Sequence, residues 1–142
     1  LALCQPLSIL QWQCTSDYSL LWGDGIYASD GPLRPTQRFW NLKQLASTAA
    51  NSFVLPVRCN QEMLRCAAFG KASTGNYAVH IINDGAARKA SVKGLPKGLA
   101  HLKAYATTFQ MRMQEIPVKA AADGSLSLTL PATAFVSIFV DK

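Results

Sequence analysis

The carboxylate side chains are the first candidates for chemistry in this sequence. Its two glutamates are Glu62 and Glu115, and three aspartates, Asp17, Asp24 and Asp30, lie within one polar segment. Glycosidic hydrolysis by the usual route needs two carboxyl groups, about 5–5.5 Å apart for retention or about 6.5–9.5 Å apart for inversion. The glutamates fall at positions typical of surface residues, and aspartates in loops commonly shape turns. The sequence therefore contains no self-contained catalytic pair.

The two histidines, His80 and His101, are candidates for a base or a metal ligand. No Gly-x-Ser-x-Gly elbow accompanies them, so a Ser-His-Asp triad is not predicted. His80 shares a predicted strand face with Ala78 and Ile82, which favours a hydrogen-bonded core histidine. No zinc-binding spacing and no glycine-rich nucleotide loop is present, so we predict neither a metal nor a cofactor.

Two of the four cysteines are close in sequence. Cys59 and Cys66 bracket a short segment that can fold back as a hairpin and bring the two sulfurs together. A disulfide closing so short a loop would contribute about 2–3 kcal/mol to stability. The spacing leaves both a disulfide and a pair of free thiols open.

The frame that must position these groups is predicted to be mainly β from Ser52 onward. Hydrophobic residues make up 49% of the 142-residue chain and charged residues 15%, and a chain of this length buries about two-thirds of its unfolded surface. Short apolar runs separated by Gly, Pro and Asp-Gly turns predict an antiparallel β-sandwich. The predicted strands are Ser52–Val57, Leu64–Phe69, Tyr77–Ile82, Arg88–Lys93, Leu102–Phe109, part of Gln110–Lys119, Ser125–Leu130 and Thr133–Val140.

Hydrophobic patterning within these strands predicts which of them are interior. The runs Asn76–Asn83 and Ala134–Val140 are apolar on both faces, as expected for central strands. A second pattern has period two and predicts one apolar sheet face. Its members are Tyr105, Thr107, Phe109, Met111 and Met113.

The first 47 residues predict a strand, a long loop and a helix in front of the sandwich, which occupies residues 48–142. Ser8–Gln13 has strand character, Thr15–Pro35 is a polar loop rich in aromatics, and Thr36 is a predicted cap for a helix over Gln37–Ser47. Helical spacing groups an apolar face and sets Arg38, Asn41 and Gln44 away from it. That apolar face consists of Phe39, Leu42, Leu45, Ala46 and Ala49.

Charge and hydropathy exclude some classes of partner. The net charge is +6, and basic residues dominate the segment from Arg88 to Lys119. They are spaced along predicted strands without interleaved aromatics, so a solvated sheet face is favoured and nucleic-acid binding is not predicted. No apolar run approaches the ~18–20 residues of a membrane span. The chain begins without an initiator Met or a complete secretory signal, and we expect it to be part of a longer protein.

Several stretches of the chain resemble the C-terminal part of family 30 glycoside hydrolases, in the clan built on (β/α)8 barrels. In the first half these are Ser8–Gln13, Thr15–Ser19 and Gly31–Leu45. In the second half, Asn76–Asn83 and Leu128–Ala132 are similar to the β-sandwich that this family attaches to its barrel. The resemblance implies that residues 1–47 are the eighth strand, loop and helix of a barrel.

The resemblance also implies a set of sugar-facing residues, because active sites of such barrels form at the C-terminal ends of the strands. Trp12 would form the floor under the cleaved sugar, and Gln13, Asp17, Tyr18 and Trp22 would lie in the strand-end and loop region around it. The family's acid/base and nucleophile glutamates belong to the fourth and seventh strands, which this chain does not contain.

The expected function is therefore that of a non-catalytic β-sandwich portion of a glycoside hydrolase, inactive alone. Its expected partners are carbohydrate and either the remaining barrel of the parent enzyme or a second copy of the chain. The parent protein is expected to be secreted, periplasmic or in the cell envelope. The alternative is a stand-alone carbohydrate-binding module that stacks sugars on aromatics such as Trp12, Tyr18 and Trp22.

Overall fold

The computed structural model describes residues 20–23, 31–96, 98 and 101–141. The predicted strand Ser8–Gln13 and most of the loop before the helix lie outside these residues. One helix, α1, is described and spans Gln37–Ala46. The strands, in chain order, are β1 Leu21–Trp22, β2 Arg34–Pro35, β3 Phe53–Leu55, β4 Leu64–Lys71, β5 Asn76–Asn83, β6 Arg88–Val92, β7 His101–Thr107, β8 Gln114–Ile116, β9 Val118–Ala120, β10 Leu126–Leu130 and β11 Ala134–Asp141.

The larger sheet has six strands in the order β3-β4-β5-β11-β7-β8, and every neighbouring pair is antiparallel. The C-terminal strand β11 lies between β5 and β7, which explains why its sequence is apolar on both faces. Its register places Ser137 opposite His80 on one side and opposite Tyr105 on the other. The two strands predicted to be interior, β5 and β11, are therefore neighbours at the centre of the fold.

The smaller sheet has three strands in the order β6-β10-β9 and covers one face of the larger sheet. Alternate residues of β10, Leu126, Leu128 and Leu130, are buried and contribute to the same core as Val136 and Ile138 of β11. The outward positions Lys89 and Lys119 are exposed. The predicted antiparallel β-sandwich is confirmed, and its core lies between the two sheets.

The prediction of one apolar face running from Tyr105 to Met113 is wrong. Strand β7 ends at Thr107, and Phe109 lies in the following turn with 93% of its surface exposed. Ala104 and Ala106 supply the core face of β7, each fully buried. The period-two pattern continues across the turn after Thr107, and the small alanines that fit the tightly packed centre lie on the opposite face of β7.

The second face of the six-stranded sheet is partly covered by α1, which contacts β7 and β11. This helix is too short and too polar to cross a membrane, and the described residues contain no helix that meets those requirements. The fold therefore has three layers at this point: the small sheet, the large sheet and α1. The junction between α1 and the large sheet is the part of the molecule in which polar side chains converge.

Candidate functional site

A short hairpin precedes α1 and exposes one aromatic ring. Strands β1 and β2 pair antiparallel with Trp22 opposite Arg34. Gly23 follows with φ +83°, and a Cβ added there would lie 2.6 Å from the carbonyl oxygen of Pro32, so the turn requires glycine. Trp22 has 55% of its surface exposed. The predicted loop thus contains a two-residue ladder that presents a tryptophan outward.

Thr36 joins this hairpin to the helix. Its hydroxyl oxygen accepts from the backbone N–H of Phe39 at 3.3 Å, which is the N-cap interaction predicted from the sequence. The same hydroxyl and the backbone N–H of Thr36 both donate to the carbonyl of Leu20, each at 2.9 Å. The position of β1 is therefore fixed relative to the start of α1.

Gln44 is the residue by which α1 is attached to the sheet. Its side chain is fully buried. Nε2 lies within hydrogen-bond distance of the carbonyls of Tyr105 and Phe135 and of Oγ of Ser137, at 3.2, 3.1 and 2.9 Å. Its Oε1 accepts from the hydroxyl of Thr107 at 2.8 Å. Gln44 lies away from the apolar face of α1, as the helical spacing predicted, and it is this polar side of the helix that packs on the sheet.

His80 continues this set of buried hydrogen bonds toward the C-terminal end of the helix. The hydroxyl of Thr48 donates to the carbonyl of Leu45 at 2.7 Å, so its oxygen accepts from Nε2–H of His80 at 2.8 Å. Nδ1 is then the unprotonated nitrogen, and it accepts from the hydroxyl of Ser137 at 2.7 Å. We call the five side chains Gln44, Thr48, His80, Thr107 and Ser137 the helix–sheet network.

The ring of His80 is surrounded by aromatic side chains. Phe135 stacks on it with centroids 5.6 Å apart, and Phe69 and Phe139 approach edge-on at 5.6 and 5.9 Å. His80 is 3% exposed. This burial lowers the pKa of His80 from 6.5 to about 4, because the charged imidazolium loses its hydration. His80 is thus a neutral, hydrogen-bonded core histidine, as the strand pattern predicted.

The Ser137–His80 pair does not have the surroundings of a nucleophile. Ser137 is fully buried, and its side-chain partners are Gln44 and His80, with no carboxylate to orient the imidazole. The helix–sheet network therefore holds the helix on the sheet.

Two open grooves flank α1. The first has a volume of about 290 Å³ and is lined by residues that include Tyr77, His101, Lys103 and Phe139. The second, about 320 Å³, is more apolar and includes Leu42, Leu45, Ile82 and Phe135. Asp84 is the one carboxylate among the described residues that line them, and it forms an exposed ion pair with Arg65 at 3.8 Å. Neither groove presents the two carboxyl groups of a glycosidase.

The predicted site residues are distributed unevenly over the structure. Trp22 is described, whereas Trp12, Gln13, Asp17 and Tyr18 lie outside the described residues. The two glutamates are exposed and separate: Glu62 precedes β4 in a turn, and Glu115 is on the edge strand β8. In the part of the chain that the structure describes, no group of three potential metal ligands comes together.

Cys59 and Cys66 are present as free thiols, and the Cys59 thiol donates to the carbonyl of Gln61 at 3.7 Å. Cys59 is exposed, and Cys66 on β4 packs against the core. Burial and the adjacent Cys59 raise the pKa of Cys66 from 9.0 to about 12. The segment between the two cysteines turns back through the bond from the Leu64 N–H to the Gln61 carbonyl, and the predicted disulfide stays a prediction.

Sequence reasoning missed Gln44, Ser137 and Thr107 as members of one cluster. A usable signal existed in the strands. His80 and Ser137 are single polar residues inside the apolar runs of β5 and β11, and the register of the two strands places them opposite each other. A buried polar residue requires a hydrogen-bond partner, which the polar positions of α1 provide.

No protein-family model and no curated protein matches the sequence. Solved structures do share its fold. The catalytic domain of the family 30 xylanase C from Talaromyces cellulolyticus superposes with a TM-score of 0.73 at 15% identity, over 88% of this chain and 28% of that one. A family 30 subfamily 8 xylanase from Clostridium acetobutylicum superposes with a TM-score of 0.67 at 14% identity, over 77% of this chain and 29% of that one. A conserved exported protein from Bacteroides fragilis superposes with a TM-score of 0.67 at 13% identity, over 91% of this chain and 28% of that one.

The likeness to these structures concerns the fold alone, because the sequence identities are only 13–15%. The chain has a fold related to one region of glycoside hydrolase structures, which agrees with the family 30 resemblance of the sequence. It spans less than a third of the length of each of these proteins.

Proposed function

We propose that the chain is the non-catalytic β-sandwich portion of a carbohydrate-active glycoside hydrolase, carrying the last strand–loop–helix unit of the barrel. The observation that carries this proposal is the attachment of α1 to the sandwich through the buried side chain of Gln44. Polar anchoring on this side leaves the other side of the helix available for a larger apolar partner.

The outer side of α1 has the composition expected of a surface that packs on a barrel. At 3.6 residues per turn, Phe39, Leu42 and Ala46 fall on the side of the helix opposite Gln44. They are half-buried or exposed. In a (β/α)8 barrel the helices form an outer ring around the strands, so the last helix has one apolar side toward the barrel. We infer that α1 serves as the shared element of barrel and sandwich.

Two buried polar atoms of α1 are left without a hydrogen-bond partner among the described residues. They are Nε1 of Trp40 and Oδ1 of Asn41. An unpaired buried polar atom costs about 1–3 kcal/mol, and native proteins contain few of them. At 3.6 residues per turn both residues fall on the same side of α1 as Gln44, so these two atoms concern the sheet side of the helix and not the proposed outer contact.

The proposal requires that the isolated chain has no hydrolase activity. Purified chain is incubated with xylan, β-glucan and aryl glycosides, and the release of reducing ends or of nitrophenol is measured. We expect no turnover above the buffer rate, because the carboxylate pair is absent from both grooves beside α1. Turnover that survives repurification and is lost in Glu62→Gln or Glu115→Gln would contradict the proposal.

The proposed barrel partner makes a separate prediction about α1. Analytical ultracentrifugation of the chain alone distinguishes a monomer from a dimer formed through the outer helix side. Leu42→Lys on that side, with Lys89→Glu on the outer strand face as control, identifies the surface used. A dimer broken by Leu42→Lys would favour the second copy over the barrel as the occupant.

A second candidate function, carbohydrate binding by the chain itself, is favoured by the exposure of Trp22. A ring with a free face on a short hairpin can stack on a sugar. Titration with xylan, glucan and galactan oligosaccharides should then quench tryptophan fluorescence. The response should disappear in Trp22→Ala and persist in Trp40→Phe, because Trp40 is packed against Phe39. No response to any of the sugars would exclude this candidate.

The location of the parent protein is part of the proposal. We propose that it acts outside the cytoplasm, as a secreted, periplasmic or envelope protein. One of the structures with this fold is described as exported, and polysaccharide substrates are too large to enter cells intact.

A further inference from the structure

Cys59 and Cys66 lie on either side of the turn by which the β3–β4 connection returns to the large sheet. Cys66 lies on β4 opposite Ile81 of β5, and its side chain packs against the core between the sheets. Cys59 lies in the connection and is exposed. The Cys59 thiol donates to the carbonyl of Gln61 at 3.7 Å, within the segment that separates the two cysteines.

The chain between the two cysteines is already folded into a turn. The backbone N–H of Leu64 donates to the carbonyl of Gln61 at 3.2 Å, and the N–H of Asp84 donates to the carbonyl of Met63 at 2.9 Å. These bonds hold the segment against the β5–β6 turn. The backbone therefore turns back between the two cysteines, which places them on facing sides of one turn.

We propose that Cys59 and Cys66 are a modification site that forms a reversible intrachain disulfide by exchange with a small-molecule disulfide such as oxidised glutathione. The Cys59 thiolate attacks one sulfur of the small disulfide, which releases one thiol and leaves a mixed disulfide on Cys59. The Cys66 thiolate then attacks the sulfur of Cys59 and releases the second thiol. Two protein thiols are oxidised and one small disulfide is reduced to two thiols, so electrons and protons balance.

The exposures of the two residues determine the order of these steps. An incoming disulfide can reach the exposed Cys59, whereas Cys66 is turned toward the core. Burial, and after it the neighbouring Cys59, raise the pKa of Cys66 to about 12, so Cys66 is the poorer initial attacker. Cys59 is therefore the attacking residue and Cys66 the resolving residue.

The disulfide would join the connection that follows the edge strand β3 covalently to β4. This strand has only three residues and pairs on one side with β4. A covalent link between the connection and β4 restricts the unfolded chain and keeps this edge of the sheet in register. The inference does not rest on the proposed glycosidase role, because it involves only the sandwich.

The test is peptide mapping of the folded full chain after oxidation. The chain is incubated in native buffer with oxidised glutathione, alkylated, and digested with trypsin without reduction. Cleavage after Arg58, Arg65 and Lys71 separates the two cysteines onto peptides 59–65 and 66–71. We expect a linked pair of these peptides, lighter by two hydrogen atoms than their sum, that separates on reduction.

Matched variants assign the bond. Cys59→Ser should leave Cys66 unlinked, while Cys4→Ser with Cys14→Ser should keep the linked pair. The oxidised protein should melt about 5–10 °C above the reduced protein. The proposal is overturned if Cys59 and Cys66 remain thiols or separate glutathione adducts, if either links to Cys4 or Cys14, or if the linked protein melts no higher.

Discussion

The hydroxyl of Ser137 lies 2.7 Å from Nδ1 of His80, and both side chains are buried between α1 and the large sheet. This pair, on neighbouring strands, joins the bonds made by Gln44 to those made by Thr48. The arrangement requires a neutral imidazole, because Nδ1 accepts from the serine while Nε2 donates to the threonine. The attachment of α1 therefore depends on the protonation state of one residue.

Stability should fall in acid because of His80. Its pKa is about 4 in the folded chain and 6.5 when unfolded, so the unfolded chain binds more protons between these values. The contribution of His80 is complete above pH 6.5 and is lost as the pH falls from 6.5 to 4. At 1.36 kcal/mol per pKa unit, the loss is about 3 kcal/mol. Urea unfolding at several pH values measures it.

The second histidine provides the control for that experiment. His101→Gln should keep the dependence on pH, since His101 is exposed on β7. His80→Gln should reduce it. If the free energy of unfolding of His80→Gln fell with pH between 6.5 and 4 as steeply as that of wild type, acidic groups rather than the histidine would be responsible.

Removal of Gln44 should weaken the attachment of α1. Gln44→Ala leaves the hydroxyl of Thr107 without its acceptor and two backbone carbonyls without their donor. Burial of unpaired groups predicts a loss of about 2–3 kcal/mol in the free energy of unfolding. Gln37→Ala, an exposed glutamine in the first turn of the same helix, is the matched control and should change it by less than about 0.5 kcal/mol. Equal losses in the two variants would mean that the network adds nothing beyond helix propensity.

The strands could be predicted from the sequence because periodicity and turn residues are local signals. Phe53–Leu55 and Asn76–Asn83 lie where the alternation and the Gly and Asn-Asp-Gly turns placed them. The helix was predicted to begin after Thr36, and it does, because the cap interaction involves residues only three apart. These elements are set by neighbours in the chain, so a single sequence contains the information.

The polar side of α1 could not be predicted in the same way. Hydrophobic spacing identifies the apolar side of a helix, and for α1 it sets Gln44 away from that side without indicating that the polar side is packed. The actual contact depends on the β11 register, which brings Ser137 beside His80 across a separation of 57 residues. Such pairing is a tertiary property. The side of α1 that contacts the large sheet is its polar side, which no apolar periodicity marks.

Core packing offers a test with two isoleucines. Ile138 of β11 is fully buried between the sheets, whereas Ile82 of β5 is 42% exposed on the opposite face. Ile138→Ala should destabilise the fold by about 2–5 kcal/mol through the lost transfer energy and the cavity left behind. Ile82→Ala should cost less than half as much, as measured by thermal or urea unfolding. Similar losses at both sites would contradict the placement of the main core between the two sheets.

The hairpin with Trp22 should be coupled to the helix cap. Thr36→Ala removes the acceptor for the Phe39 N–H and the hydroxyl bond to Leu20, and caps of this kind contribute about 1 kcal/mol. Thr36→Ser keeps both bonds and should restore stability. Because Leu20 directly precedes β1, the tryptophan emission of the alanine variant should also shift relative to wild type, and the serine variant should not. A stability loss without any change in emission, measured in a Trp40→Phe background, would show that the cap and the hairpin are independent.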